Sequence, residues 1–269
     1  MSTTADILPR TTGGTAPFIQ ARGIGKHFAG VTALANVDMD IREGEVLALL
    51  GDNGAGKSTF IKILAGAHSQ DTGTIEVAGK RVAFSSPQDA AESGIATIFQ
   101  ELALSDNLTV TENIFLGREL TTKVAGFPIL RRAEMRRRAA ALLHELEAHI
   151  PDPNRPVAGL SGGQRQAVAI CRALNINARL VIMDEPTAAL AVAETRKVLT
   201  LVRRLAERGC AVVLISHNIA DVMEVADRMI VFRRGRKIAE TKRTATHPEE
   251  LVSFITGAHP SLRALEQAS

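Results

Sequence analysis

A glycine-rich segment with one lysine, GDNGAGKST at residues 51–59, has the residue types and spacing of a loop that binds phosphate. It fits the pattern G-x-x-x-x-G-K-[ST], in which backbone N–H groups surround phosphate oxygens. Glycine is needed because a Cβ would hold the backbone away from those oxygens. The apolar run VLALL before it and the sequence FIKILAG after it predict a strand that enters the loop and a helix that leaves it.

All nine positions of this loop are candidate nucleotide contacts: Gly51, Asp52, Asn53, Gly54, Ala55, Gly56, Lys57, Ser58 and Thr59. We expect Lys57 to reach the β- and γ-phosphates and Ser58 to bind Mg²⁺. The N-terminus of the following helix adds the positive end of its dipole. The alternative is a glycine-rich turn that matches the pattern without binding a ligand, but the flanking strand and helix favour the phosphate loop.

A second apolar run, LVIMDEP at 180–186, ends in two carboxylates. We predict a buried strand that brings Asp184 to the carboxyl end of a sheet, where α/β proteins bind ligands. At that position Asp184 would bind the metal ion and Glu185 would polarise an attacking water molecule. The alternative is that both acids only flank the start of a helix near Pro186.

The sequence LSGGQRQ at 160–166 predicts a second anion site. Ser161 is a typical helix N-cap, and Gly162 and Gly163 leave the amides of the first helical turn uncovered. One phosphate loop and two phosphate-binding helix ends in one chain are explained by two nucleotides held between two copies. For this motif taken alone, a simple helix cap is the alternative.

The elements that position these motifs alternate between short apolar strands and amphipathic helices, which predicts an α/β fold with a largely parallel, covered sheet. The predicted strands are 18–21, 34–41, 46–50, 74–77, 96–99, 180–183, 212–215 and 229–232. The clearest helix is 195–208, which has apolar residues at helical spacing on one face and Gly209 as its stop.

Strand patterns are absent between residues 105 and 158, which predicts a helical subdomain inserted into the α/β core. It contains a basic helix at 131–149 and closes in the turn-rich stretch PDPNRPVAG. Two interpretations apply to the arginines of this helix: they bind phosphate or lipid headgroups, or they form a solvated face, which the charge run favours. These are Arg131, Arg132, Arg136, Arg137 and Arg138.

The chain has 269 residues, 45% of them hydrophobic, and a net charge of +3. The small charge does not require nucleic acid as a partner, and the absence of Trp and Tyr argues against a single-strand binder that stacks bases, so we expect no nucleic acid partner. No apolar run reaches the length of about 18 residues that spans a membrane. Two cysteines, Cys171 and Cys210, fit neither a zinc site nor a disulfide framework and favour a reducing cytoplasm. We interpret residues 1–17 as a disordered tail.

In their combination and order, these motifs resemble those of the ATP-binding cassette (ABC) ATPases, and the resemblance covers about residues 18–257. It implies a P-loop NTPase core with an antiparallel β subdomain and an inserted α-helical subdomain at about 101–178, followed by a tail at 258–269. It also implies that four residues contact the ATP bound to the opposite subunit of a dimer: Ser161, Gly162, Gly163 and Gln164.

The resemblance assigns three more residues. Gln100, in TIFQE, is similar to the glutamine that reaches Mg²⁺ and the attacking water, and His217, in LISHN, to the histidine that bonds the γ-phosphate. Phe28, in KHFAG, is similar to the aromatic residue that stacks on adenine, where many members have Tyr. Without the resemblance, the alternatives are that Gln100 is a polar residue at the end of a strand, that His217 is a helix cap and that Phe28 is a buried core residue.

Ala191 stands where many members of the family have an Asp in the loop that bridges the two ATP sites. This departure weakens the case for the usual coupling between the two sites but leaves phosphate and metal binding unaffected.

Five short sequences are most similar to the ATPase subunits of bacterial ribose, xylose and fructose importers: GDNGAGKS, LGRE, SGGQRQ, MDEPTAAL and SHN. The single set of motifs implies a single-cassette subunit that pairs with a second copy. The resemblance therefore predicts a peripheral ATPase on the cytoplasmic face of the cell membrane that requires Mg²⁺, works with permease subunits and depends indirectly on an extracytoplasmic sugar-binding protein. A soluble ABC-type ATPase and a nucleotide-gated regulator with little turnover are the alternatives.

Overall fold

A computed structural model describes residues 16–124 and 127–261. The strands in these ranges are β1 (Ile19–Phe28), β2 (Val31–Ile41), β3 (Val46–Leu50), β4 (Thr72–Val77), β5 (Lys80–Val82), β6 (Ile95–Ile98), β7 (Thr121–Val124), β8 (Phe127–Leu130), β9 (Leu180–Asp184), β10 (Ala211–Ile215), β11 (Arg228–Arg233) and β12 (Arg236–Lys242). The α-helices are α1 (Lys57–Leu64), α2 (Pro87–Glu92), α3 (Val110–Phe115), α4 (Arg132–Glu145), α5 (Gly162–Asn175), α6 (Val192–Glu207), α7 (Ile219–Val225) and α8 (Pro248–Thr256).

A six-stranded sheet in the order β12-β11-β3-β10-β9-β6 lies at the centre of the fold. Its strand pairs are parallel except for β11 with β12. β3 and β10 are buried along their whole length because apolar side chains occupy both of their faces. Asp184 lies opposite Ile215, and Met183 lies opposite Ile98, so the carboxyl ends of β9, β10 and β6 meet at one edge. The predicted α/β fold with a parallel sheet is confirmed.

A second, antiparallel sheet in the order β2-β1-β4-β5 packs on one face of the central sheet. Its apolar residues form one hydrophobic cluster with Leu47 and Leu49 of β3 and with Phe60 of α1. The intervening residues of β3 belong to a cluster on the opposite face, which includes α5 and α6. The two faces of β3 therefore join both halves of the core.

The segment 101–178 contains α3, α4 and α5, but it also contains a hairpin of β7 and β8. The prediction that 105–158 lacks strands is therefore wrong for this hairpin. Its two strands hydrogen-bond as a separate two-stranded sheet, and every described residue in them is exposed. A strand with no buried face has no need of the apolar and polar alternation by which strands are recognised in a sequence.

Two predicted helices have different bounds in the structure. The basic helix α4 ends at Glu145, four residues before its predicted end, and Glu147 follows with a left-handed φ of 50°. Helix α6 begins at Val192, three residues before its predicted start, and ends before Gly209, which has φ of 87°. The predicted stop at Gly209 is confirmed, because a glycine in the left-handed conformation ends an α-helix.

The predicted tails fall mostly outside the described residues. Of residues 1–17, only Ala16 and Pro17 are described, and the region 258–269 is described only as far as Ser261. Among the helices of the described ranges, none is both long and apolar enough to cross a membrane.

Candidate functional site

The phosphate loop lies between β3 and α1, as the sequence predicts. Gly51 has φ of 142°, and a Cβ on it would lie 2.3 Å from the carbonyl oxygen of Phe232. Gly56, with φ of 106°, is the N-cap of α1, and a Cβ on it would lie 2.8 Å from the carbonyl oxygen of Ala33. Both positions therefore require glycine. No side chain caps α1, so its first-turn amides remain available to an anion.

Lys57 is only 5% exposed and folds back over the loop. Its Nζ donates to the carbonyl oxygens of Gly51 at 2.6 Å and Asp52 at 3.0 Å. Burial lowers the pKa of Lys57, and the negative charges of Glu185 and Asp184 oppose that shift. A polyphosphate in the loop would give this buried cation an anionic partner in place of two neutral carbonyl groups.

The two acids lie at the edge where β9 and β10 end. Burial raises the pKa of Asp184, and the charges of Lys57 and His217 oppose this shift. Burial also raises the pKa of Glu185, again opposed by His217. Glu185 has a left-handed φ of 53°, and its N–H donates to the carbonyl oxygen of Ile215 at 3.0 Å. That bond fixes the backbone of the acid to the end of β10.

His217 follows β10 and faces Glu185. Its Nε2 lies 3.3 Å from Oε1 of Glu185, but the two atoms do not have hydrogen-bond geometry. Among the described residues, this buried Oε1 has no hydrogen-bond partner, so it is available to accept from a bound water. The helix cap in this segment is Asn218, which accepts from the N–H groups of Ala220 and Asp221, so capping does not explain His217.

One cleft of about 600 Å³ collects most of the predicted site. It is lined by Asn53, Gly54, Ala55, Gly56, Lys57, Ser58, Thr59, Gln100, Asp184, Glu185 and His217. Gly51 and Asp52 contribute instead the carbonyl groups that bind Lys57. Hydroxyl, amide and carboxylate oxygens from Ser58, Gln100 and Asp184 are hard ligands of the type that Mg²⁺ binds, so the residues fit that ion. The cleft therefore has the donors and the cation that a magnesium-bound polyphosphate requires.

Comparison with known proteins agrees with this geometry. Residues 34–188, more than half of the chain, match the ABC transporter family. The xylose/arabinose import ATP-binding protein XylG of Sulfolobus acidocaldarius is 49% identical over 88% of this chain and 93% of that protein. The chain belongs to the ABC transporter family. It is an ABC-type ATPase, as its motifs predict.

Other relatives and solved structures place this cassette in the same family. The fructose import ATP-binding protein FrcA of Rhizobium meliloti is 46% identical over 90% of the chain and 95% of that protein. The chain spans only 47% of the ribose import ATP-binding protein RbsA 2 of Rhizobium johnstonii, at 44% identity over 91% of its own length. A dimeric ATP-binding cassette with ADP and phosphate bound has a TM-score of 0.68 at 28% identity, covering 84% of this chain and 98% of that one.

The signature sequence LSGGQ of this cassette forms the start of α5. Ser161 is the N-cap, and its Oγ accepts from the N–H of Gln164 while Gln164 accepts from the N–H of Ser161, a complete capping box. A Cβ on Gly162 would lie 2.4 Å from the side chain of Leu190. Ser161, Gly163 and Gln164 line a separate cavity of about 200 Å³, and the cleft of the phosphate loop contains none of them.

Phe28, the predicted adenine contact, is not a core residue of the cassette. Its ring is 41% exposed and meets His68 edge-on, with the ring centres 5.5 Å apart. The Nζ of Lys26 lies 5.4 Å from the centre of the same ring. Phe28 does not line the phosphate cleft, but its partly exposed ring remains accessible to a ligand.

The loop that follows Glu185 is held by residues that no sequence motif indicates. Gln166, 5% exposed on α5, donates its Nε2 to the carbonyl oxygen of Pro186 at 2.8 Å. Thr187 donates its Oγ1 to Oδ2 of Asp221, a buried residue of α7, at 2.8 Å. The loop is therefore fixed to the signature helix and to the helix after β10. No local pattern predicts these bonds because the partners are 20 and 34 residues apart.

Thr187→Val is expected to lower the free energy of unfolding by about 1–3 kcal/mol, because the buried carboxylate of Asp221 loses its hydroxyl donor. Urea denaturation followed by circular dichroism measures the change. Thr187→Ser keeps the hydroxyl and is expected to remain within about 1 kcal/mol of the wild type. A loss in Thr187→Ser with none in Thr187→Val would show that the methyl group, rather than the hydrogen bond, stabilises the loop.

The raised pKa of Asp184 predicts a pH-dependent stability in the nucleotide-free protein. Between the unfolded pKa of about 3.9 and the higher folded pKa, the folded state binds more protons, so the free energy of unfolding falls as pH rises. Asp184→Asn is therefore expected to melt at a higher temperature than the wild type at about pH 7.5, and this difference in melting temperature should shrink toward about pH 4. Thermal denaturation without Mg²⁺ tests this. A variant that melts below the wild type near neutral pH would contradict it.

Proposed function

We propose that this cassette is the MgATP-hydrolysing subunit of an importer for a monosaccharide and that it works as a homodimer on the cytoplasmic face of the cell membrane. The observation that carries the proposal is the meeting of Lys57, Asp184, Glu185, Gln100 and His217 in one cleft. The import of a sugar is supported by the relatives, which are named as xylose/arabinose, fructose and ribose import ATP-binding proteins.

The homodimer is supported by the separation of the two anion-binding helix ends. Ser161 and Gly163 line a different cavity from Lys57, so one chain does not bring its signature helix to its own phosphate loop. In a head-to-tail pair, the first-turn amides of α5 in one protomer would contact the γ-phosphate held by the other. Each complete ATP site then needs residues from both copies.

In the proposed hydrolysis, Glu185 orients a water molecule for in-line attack on the γ-phosphate. Its buried Oε1 would accept the hydrogen bond from that water. His217, whose Nε2 lies 3.3 Å from the same oxygen, would bond the γ-phosphate and position the water beside Glu185. Lys57 would exchange the carbonyl oxygen of Gly51 for the β- and γ-phosphates. When bound by Ser58, Asp184 and Gln100, Mg²⁺ would neutralise charge on the phosphate oxygens.

Permease subunits are the proposed membrane partners, and a groove beside Gln100 is the proposed contact. This apolar groove of about 340 Å³ is lined by Phe99 and Leu116, both more than 40% exposed, and by Arg118. Phe99 is the neighbour of Gln100, which lines the nucleotide cleft. A change at the γ-phosphate would therefore reach the groove through two adjacent residues.

Reconstitution with the cognate permease and sugar-binding protein in lipid vesicles tests the proposed transport. We expect sugar uptake that requires ATP and disappears with Glu185→Gln. Unchanged uptake with that variant would refute the motor role. Cell fractionation distinguishes a soluble ABC-type ATPase, because a transport subunit should sediment with membranes when its permease is coexpressed and remain largely in the supernatant otherwise.

Phe28→Ala is expected to raise the KM for ATP by roughly tenfold with little change in kcat, because stacking of a base on an aromatic ring contributes about 1–3 kcal/mol. Steady-state phosphate release measures both constants. Phe28→Tyr should keep the wild-type KM, and Phe127→Ala is a matched control at another exposed ring. An unchanged KM in Phe28→Ala would place the adenine elsewhere.

A further inference from the structure

The hairpin of β7 and β8 has one apolar face that nothing covers in the described structure. Thr122 pairs with Ile129 and Val124 pairs with Phe127, so the side chains of these four residues lie on one face. Val124, Phe127 and Ile129 are 56%, 72% and 50% exposed. They are among the most exposed large apolar side chains of the described ranges, and they lie next to one another on the same face of the hairpin.

This exposure is unfavourable in water. A two-stranded hairpin without a packed face is marginally stable, and the two strands hydrogen-bond to no other strand of the described structure. Contiguous exposed apolar side chains on a soluble protein commonly mark a site of interaction with a protein or a membrane. An occupant is therefore expected on this face.

The charge around the hairpin indicates what that occupant is. Residues 116–138 contain seven Lys or Arg and only two Glu, so this short segment is more basic than the whole chain, whose net charge is +3. Arg132, Arg137 and Arg138 pair with nearby glutamates and form the solvated face that the sequence favours. In contrast, Lys123 and Arg131 are exposed and have no ion pair among the described residues, and the same holds for Arg118 and Arg136.

We propose that the β7–β8 hairpin binds the headgroup region of an anionic lipid bilayer. Apolar side chains that enter the interface and basic side chains that remain at the phosphate level are the combination that peripheral membrane segments use. The hairpin also follows directly on Leu116 and Arg118, which line the groove proposed for the permease. It would therefore contact lipid beside the membrane subunits and orient the cassette against the bilayer surface.

The absence of Trp and Tyr from the chain permits a direct test of insertion. F127W introduces the only tryptophan, and F127W protein is mixed with protein-free vesicles of phosphatidylglycerol and phosphatidylcholine. We expect a blue shift of the emission that grows with the phosphatidylglycerol fraction and is absent with pure phosphatidylcholine. V252W, at an exposed apolar position of α8, is the matched control and should show no shift.

Vesicle sedimentation separates insertion of the hairpin from general attraction of a basic protein. The double variant F127S/I129S has the wild-type charge and is expected to bind phosphatidylglycerol vesicles at least tenfold more weakly, whereas V252S should bind like the wild type. Each of K123A and R131A should weaken binding by roughly fivefold. Unchanged ATPase activity in solution would show that the hairpin variants are folded.

Three outcomes would overturn the proposal. Binding that F127S/I129S leaves unchanged would assign the attraction to charge elsewhere on the surface. Equal binding to phosphatidylcholine would exclude recognition of anionic headgroups. Binding restricted to vesicles that contain permease subunits would assign this face to a protein partner instead.

Discussion

Glu185→Gln is expected to lower kcat for ATP hydrolysis by about 10²–10⁴-fold while MgATP still binds. Glutamine keeps the shape of the side chain but is a poor acceptor for a water proton, and it does not alter the phosphate loop. The position of Glu185 makes this effect specific, because its backbone is bonded to Ile215 and its buried Oε1 lies beside His217 without a hydrogen-bond partner. Phosphate release and equilibrium binding of a fluorescent ATP analogue measure the two effects separately.

Glu207→Gln is the matched control, since Glu207 is an exposed residue of α6 and the substitution is identical. Its turnover should remain within about twofold of the wild type, as expected for a surface site that contacts no reacting group. Wild-type turnover in Glu185→Gln would mean that another group activates the water. Loss of MgATP binding in that variant would instead show that Glu185 supports the loop rather than the chemical step.

Lys57→Ala is expected to reduce kcat/KM by about 10³-fold or more, mainly through weaker MgATP binding, because a desolvated cation is lost from the phosphate site. Lys57 is 5% exposed, so its charge would act on the phosphate oxygens of a bound nucleotide with little screening by water. Isothermal titration measures the affinity, and phosphate release measures the turnover.

Lys62→Ala is the control for Lys57, because Lys62 lies on the same helix α1 but is exposed to solvent. It should keep MgATP affinity within about twofold of the wild type, since exposed charges are screened. Steady phosphate release by the wild type that Lys57→Ala abolishes would also argue against a nucleotide-gated regulator with little turnover. A wild-type affinity in Lys57→Ala would contradict the assignment of the phosphate loop.

Local patterns predicted the parts of the site that are local in the chain. The strand, loop and helix of residues 46–64 form where expected, because the apolar run, the glycines and the helix pattern act over a few residues. Ser161 caps α5 for the same reason, and its capping box with Gln164 spans a single turn. The residues of these motifs need no distant partner to adopt their backbone conformation.

The loop around Ala191 is stabilised by contacts that local sequence patterns do not predict. Ala191 is the N-cap of α6 and has no side-chain oxygen to accept from the first turn, so the loop between Glu185 and α6 lacks that local support. The structure supplies distant bonds instead, from Gln166 to Pro186 and from Thr187 to Asp221. These bonds connect the loop to α5 and α7. Local sequence patterns do not predict them because the partners lie far apart in the chain.

The sequence by itself determined the motifs and the family of this protein: a phosphate loop, two carboxylates after a buried strand, and a signature helix start, in an order that identifies the family. Tertiary structure decided which of these groups share a site. Parallel pairing of β9 with β10 brings Asp184 and Glu185 beside His217, while the signature residues lie in another cavity. It also left the β7–β8 hairpin exposed. The physical reason is that residue types and short spacing specify local conformation, whereas sheet register and packing depend on contacts between residues far apart in the chain.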